Sequence, residues 1–507
     1  MNNSISEDIY TTTAKKICMP LCDRNTSIDL SNDFTLPDYH SEIRRVLNVR
    51  GLATPASKYI TSSGVEFSGN IDYNVLYVGA DGELFSAPLD CEYRFTVPID
   101  SDGFDFNEEV ISCLDISLDN ISVRLLAPRK LNVKCKLKAH TRVYGTFVIN
   151  ENLGENHENS AIQVLKGNCD NLLVHNAVSD IIEFSEEIFT NDPNIRVAAA
   201  QGKLCISNVD SAIDTVNVKG EILLDLLICN NDVSHSYDHL TKRIDFSQSM
   251  EAIGVNGATK CIANGCLTDL AISVEDERII CDLKACVEVE GQTQKSFEYI
   301  KDVYSTNYKS NCTFKDYNVP SSGYCYNGNY SINERISKDS VLIPQDSQIV
   351  DLSVSASVDH TGVVGNKVVC AGNVKYTLIL NSNGEFSSVD VILPTKFEFE
   401  GVKEDDMICQ SKFNVLNSKA RLDEDVLCLD SEIGVVSSGY CNKKIIALDA
   451  VNLSSPINKS KGVITVYYPN SEDTLWSISK QYNVPKAHVE KLNSLNGNIE
   501  GREYIII

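Results

Sequence analysis

Four groupings in the 507-residue chain have side chains that could do chemistry. Cys261 with Cys266, and Cys281 with Cys286, are two pairs of potential soft-metal ligands. Each pair leaves four residues between its members where a zinc knuckle leaves two, so the cysteines read as small buried hydrophobes. His235 and His239 in "HSYDH" have the types for a metal corner, but the stretch is polar and reads as a loop with solvated histidines. Glu108/Glu109 and Asp405/Asp406 offer paired carboxyls of the kind used in general acid–base work. Among 70 acidic residues they read as solvated faces. Lys367 in "TGVVGNKVV" (361–369) lacks the G-x-x-x-x-G-K-[ST] spacing that cradles a phosphate. No G-x-G-x-x-G, H-E-x-x-H or G-x-S-x-G occurs either. The sequence predicts no catalytic residue, no metal and no cofactor.

What remains is a binding residue. Trp476 is the only tryptophan of the chain. It lies in "DTLWSISKQYNV" (473–484), where Leu475, Ile478 and Tyr482 recur at helical spacing and form one stripe. Trp476 points about 100° away from Leu475, off that stripe. It reads either as a cap on a small core or as an anchor for a partner.

The elements around this helix have a clear order. "VITVYY" (463–468) alternates as a strand, "PNSED" is a turn with N-cap candidates, and Leu475 opens the first helix. "VPKAHVEKLNSLNG" places Pro485 near a second helix start and Gly497 past its end. "EYIII" (503–507) closes as a strand. The predicted order is strand, helix, helix, strand.

The body preceding this module repeats. Registered on Gly69, Gly220 and Gly372, three segments place apolar residues two, four, six and eight positions on: Ile71, Tyr73, Val75 and Tyr77; Ile222, Leu224, Leu226 and Ile228; Val374, Tyr376, Leu378 and Leu380. A period of two predicts a strand with one buried face. A glycine on that face predicts a bulge or a close backbone approach. Turn residues follow at 80–82, 230–232 and 381–384, then returning strands with "YRF" (93–95), "IDF" (244–246) and "FEF" (397–399). Polar stretches at 150–160, 305–323 and 452–462 read as joins.

Composition excludes several partners. Hydrophobic residues make up 43% of the chain, which predicts folded protein. The net charge of −25, with no basic cluster, argues against nucleic acid and against an anionic membrane. No apolar run reaches about 18 residues, and the N-terminus carries no basic start followed by an apolar stretch, so the expectation is a cytosolic chain with no transmembrane segment and no disulfide framework.

The C-terminal module resembles a LysM domain. The resemblance rests on "DTLWSISKQYNV", "LNSLNG" (492–497) and the "IEGREYIII" close, and Glu472 stands where that family usually has glycine. The body, with "LPDYHSEIRRVLNVRG" (36–51) followed by "SGNIDYNVLYV", resembles the SPOCS domains of spore coat proteins. Three SPOCS domains and one LysM domain is the arrangement of a family of clostridial coat morphogenetic proteins. The resemblance implies a mostly β chain: three repeated antiparallel sandwich- or barrel-like domains at 20–149, 170–304 and 324–449, a linker at 450–461, and an α+β LysM domain at 462–507. It implies a non-enzymatic scaffold in the mother-cell cytoplasm at the forespore surface. Its LysM domain would bind the coat basement-layer ATPase, the stage IV A morphogenetic protein, with other coat proteins as further partners. Trp476 and Ile464 are the expected partner contacts, with Leu475, Asp473, Thr474, Asn493 and Asn496 around the groove formed by loops 470–474 and 493–498. The alternative is the family's ordinary use of that groove, binding N-acetylglucosamine chains of the cell wall. A LysM-targeted wall hydrolase would need a catalytic domain, and the body offers no motif for one.

Overall fold

The sequence repeat becomes three units of one wiring. A computed structural model describes residues 13–61, 63–100, 104, 109–151, 161–190, 194–230, 236–275, 277–400, 406–458 and 464–507. The first unit holds β1 (Thr13–Thr35), β2 (Ile43–Thr61), β3 (Gly64–Gly79), β4 (Leu84–Pro98), β5 (Val110–Ala127) and β6 (Lys130–Glu151). The second holds β7 (Ile162–Val178), β8 (Ile182–Phe189), β9 (Ile195–Ala212), β10 (Thr215–Asn230), β11 (Tyr237–Glu251), β12 (Lys260–Glu275) and β13 (Arg278–Ser305). The third holds β14 (Tyr308–Ser337), β15 (Gln348–Val364), β16 (Lys367–Ser382), β17 (Glu385–Glu400), β18 (Ile408–Asp423) and β19 (Val426–Pro456). The C-terminal module is β20 (Val466–Tyr467), α1 (Leu475–Gln481), α2 (Lys486–Leu492) and β21 (Ile505–Ile506).

The chain is mostly β, and every sheet is antiparallel. In each unit the middle strands form one three-stranded sheet, β2-β3-β4, β9-β10-β11 or β15-β16-β17. The flanking strands form a second, β1-β6-β5, β12-β13-β7 or β14-β19-β18. The two sheets enclose an apolar core. They remain separate ladders, so the units do not close into barrels, which corrects that half of the expectation. In the second unit the opening strand is broken: β8 pairs with the first part of β13 and β7 with the rest. No helix among the described residues is long and apolar enough to cross a membrane.

The three registering glycines sit buried in the central strands β3, β10 and β16. Opposite each, the neighbouring strand skips a residue: between Pro55 and Ser57, between Ile206 and Asn208, and between Val358 and His360. A Cβ at Gly69, Gly220 or Gly372 would run into Thr54 O, Cys205 O or Ser357 O. Each glycine therefore admits the bulged strand at close range. Gly→Ala at any of the three is expected to cost about 1–3 kcal/mol by overpacking. Urea unfolding checks this, and midpoints equal to the parent at all three sites would show that the bulges yield freely.

The predicted inward residues on these strands are all buried. The opposite face is buried too where units meet. Leu76, Leu227 and Ile379 each lie seven residues past their glycine and join one apolar cluster with Leu84, Cys229 and Phe386. Arg196 of the second unit donates to Leu84 O of the first (2.8 Å), and Arg45 of the first donates to Phe386 O of the third (3.4 Å). These are equivalent positions: Arg45 and Arg196 stand opposite Val78 and Cys229, and Leu84 and Phe386 opposite Val78 and Asn381, each nine past its glycine. Tyr237 of the second unit meets Phe386 of the third edge-on (5.4 Å between centroids). A repeated head-to-tail contact that closes makes a ring, here within one chain.

A second point where equivalent positions of all three units meet, and so on one pseudo-threefold axis with the first, is polar. Arg142, Glu290 and Ser438 each lie twelve residues past the first residue of β6, β13 and β19. All three are buried. Arg142 Nη1 donates to Glu290 Oε1 (2.9 Å) and to Ser438 Oγ (3.1 Å), and its Nη2 lies 2.6 Å from Glu290 Oε2.

The expected domain limits move. Residues 20, 170, 324 and 449 fall inside β1, β7, β14 and β19. The stretch 305–323, read as a join, is a short turn followed by strand: β13 ends at Ser305 and β14 begins at Tyr308. Past the buried turn residues Ser305 and Thr306, most of its polar residues line the exposed side of a long ribbon, and Tyr317 and Val319 are its only hydrophobic side chains in the core, so composition concealed the strand. Residues 450–456 continue β19 and are not linker. Of the other joins, 152–160 and 459–463 lie outside the described residues.

Candidate functional site: the C-terminal module

Helix α1 starts at a reciprocal cap. Thr474 Oγ1 accepts from Ser477 N (3.1 Å), and Ser477 Oγ accepts from Thr474 N (2.9 Å). The cap fixes the direction in which Leu475 and Ile478 enter the core, where they meet Val489, Ile499 and Ile505. Both helices lie over one face of the two-stranded sheet, which pairs Val466 with Ile506 and Tyr467 with Ile505.

Three expected contact residues work inside the module. Leu475 is buried in the core. Asp473 Oδ2 accepts from Tyr467 OH (2.9 Å) and Asn470 N (2.8 Å), which closes the loop before α1. Asn493 donates to Val489 O and Ile506 O and accepts from Ile506 N, tying the end of α2 to β21. Thr474 and Asn496 are exposed on the two loops. Ile464 is 76% exposed.

Ile464 shares its strand face with Val466, as the alternation of "VITVYY" predicts, and has two further neighbours there, Tyr468 and Tyr504, that the sequence reading missed. Val466, Tyr468 and Tyr504 are exposed with it, on the sheet face turned away from the helices. The signal was present: in "VITVYY" alternate residues face in, and the outward set is apolar as well.

Trp476 has a different environment. It is half-buried, outside the module's core, against β13 of the second unit. Its Nε1 donates to Asp302 Oδ2 (2.8 Å), and Lys480 Nζ donates to Asp302 Oδ1 (2.6 Å). The ring of Tyr304 meets the indole edge-on at 4.9 Å between centroids, and Tyr304 OH donates to Val484 O (2.8 Å). Burial pushes the Tyr304 phenol up to about 12, so it stays a donor. A bulge in β13 between Ile300 and Asp302 aims the carboxylate. Trp476 is thus neither a core cap nor a free anchor. Asp302 and Tyr304 carry no local signal, because the contact spans 174 positions.

Elsewhere the polar residues hold the body together. His239 lies in β11, not in a loop, and faces Asp351 of the third unit at 3.4 Å, with Arg50 of the first unit on the same carboxylate. His235, Glu108 and Asp405 lie outside the described residues. Among the described residues no three His, Cys, Asp or Glu side chains converge as a metal site. All eighteen cysteines are free thiols. Cys266 and Cys286 face each other across β12 and β13, and burial pushes the thiols of Cys261, Cys266 and Cys281 up to about 11, which makes them poor nucleophiles. A cleft of about 840 Å³ opens between the first two units, its rim carrying both signs: Lys15, Lys16, Lys295, Glu109, Glu251 and Glu298. Set beside known proteins, the chain matches no family model, no curated protein and no solved structure.

Proposed function

We propose that the chain is a non-enzymatic scaffold of spore coat assembly. In this reading the C-terminal module is a LysM-type domain that docks the coat basement-layer ATPase, the body presents further surface to other coat proteins, and the site of action is the mother-cell cytoplasm at the forespore surface. The motifs of residues 473–484 and 492–507 and the strand–helix–helix–strand order support it. The observation that carries it is the outer sheet face, where Ile464, Val466, Tyr468 and Tyr504 are exposed together. Apolar and aromatic side chains grouped on a small module are the composition of an interface centre. Charge favours the same surface. Residues 462–507 hold four basic and five acidic side chains, so nearly all of the −25 lies on the body. Docking there meets little electrostatic opposition.

The test uses the full chain. Ile464→Glu and Tyr468→Glu are each expected to weaken binding to the ATPase by ~2 kcal/mol or more, roughly thirtyfold, read by titration calorimetry. Neither side chain is in the module core, so the circular dichroism spectrum should match the parent. Parent-like binding by both variants sinks the sheet face as the docking site. A parent chain that ignores the ATPase and binds an N-acetylglucosamine oligomer instead would establish the glycan reading.

A further inference from the structure

The hold of the body on Trp476 has the form of a recognition site already filled. Helix α1 offers two donors one turn apart, Trp476 Nε1 and Lys480 Nζ, and each takes one oxygen of Asp302. The indole also receives the edge of Tyr304, and the phenol of Tyr304 reaches the carbonyl of Val484 just past α1. A carboxylate and an aromatic ring two residues apart on one strand thus take up both donors on the Trp476–Lys480 side of α1. The β13 bulge that turns Asp302 toward the module marks the contact as built into the fold. Trp476 contributes nothing to the module's own core, so the module does not need this residue to fold.

We propose that the Trp476–Lys480 face is a second protein-docking surface, selective for a carboxylate beside an aromatic side chain, and that Asp302 and Tyr304 occupy it in the free chain as an internal latch. A partner that uses this face must bring the same chemistry and displace them. The latch stands on the geometry alone, and the competition with a partner rests on the docking function proposed above. A closed latch lowers apparent affinity by the fraction of chains in which it is open. Opening it by mutation therefore raises affinity with no change in the docking face.

The single tryptophan makes the latch visible without a label. Asp302→Ala in the full chain, with Asp302→Asn and Tyr304→Phe as milder companions, is expected to red-shift the emission of Trp476 and increase its quenching by acrylamide. The circular dichroism spectrum should stay that of the parent. The same variants are expected to bind the basement-layer ATPase about fivefold or more tightly than the parent, the low end of a typical coupling. Emission and quenching unchanged in all three variants overturn the latch, whatever the binding shows. A changed emission with unchanged affinity overturns the competition and leaves the sheet face as the docking surface. Absence of binding by parent and variants alike overturns the functional reading and the competition with it, while the quenching result still decides the latch.

Discussion

Replacing Arg142 with Met is expected to lower the stability of the body by about 3–5 kcal/mol, and replacing Arg142 and Glu290 together with Met to recover most of the loss. The two side chains are buried and come from equivalent positions of different units. Burial alone would weaken the charge on Arg142, but Glu290 beside it outweighs that and holds the guanidinium protonated. Removing one partner strands the other charge in a buried site, whereas removing both removes the desolvation cost as well. The measurement is the urea midpoint followed by circular dichroism. A single variant as stable as the parent would mean that the axis is wet and loosely packed. Three identical residues at these positions would place like charges or unpaired donors together. The Arg–Glu–Ser set suits only three different units, which favours closure of the ring within one chain.

The second large effect is expected at Asp351. Its carboxylate is 2% exposed and takes Arg50 from the first unit and His239 from the second. Asp351→Asn leaves Arg50, 14% exposed, without its charge partner and should cost about 3 kcal/mol or more. This junction also predicts a pH window. Burial raises the Asp351 carboxyl, but Arg50 and His239 outweigh burial and hold it below its ordinary 3.8. Its contribution is complete above 3.8 and is lost as pH falls through the lowered value. The bond to Asp351 raises His239 above its ordinary 6.5, against burial. That contribution is complete below 6.5 and is lost as pH rises through the raised value. This junction should therefore contribute most to the urea midpoint between 3.8 and 6.5. In Asp351→Asn the fall on the alkaline side should largely disappear. A variant that keeps the parent's slope there would locate the titrating group elsewhere.

Much of the unit was legible in the sequence because its signals are local. Period-two alternation marked β3, β10 and β16, and the buried glycines announced a close strand before the bulges opposite them were known. Turn residues at 381–384 became a tight turn with positive φ at Asn383 and Gly384. The ring was not legible. Leu76, Leu227 and Ile379 look like ordinary strand formers, and nothing nearby says that their outward face will meet two other units. The join at 305–323 failed for the opposite reason, since a strand that buries few side chains has the composition of a loop. In the module, the cap at Thr474 and the stripe through Leu475 and Ile478 followed from spacing. The environment of Trp476 did not, because both of its partners belong to a strand in another unit.

The closed ring has a consequence for biosynthesis. Arg45 and its acceptor Phe386 O are separated by 341 positions, and β19, which pairs with β14 and lies beyond both, is the last strand of the body to be made. At ~5–20 residues per second, roughly 20 to 70 s pass on the ribosome between the two halves of that one contact. During this interval the first two units stand as an open arc. Leu84 and Leu227 are then covered on one side only, because Ile379 and Phe386 have not yet been translated. An arc of this kind is a natural client for a chaperone. On a crowded polysome, the third unit of a neighbouring nascent chain fits the vacant seat as well as the chain's own, so the same geometry that makes one compact body also provides a route to exchanged, interlinked ones.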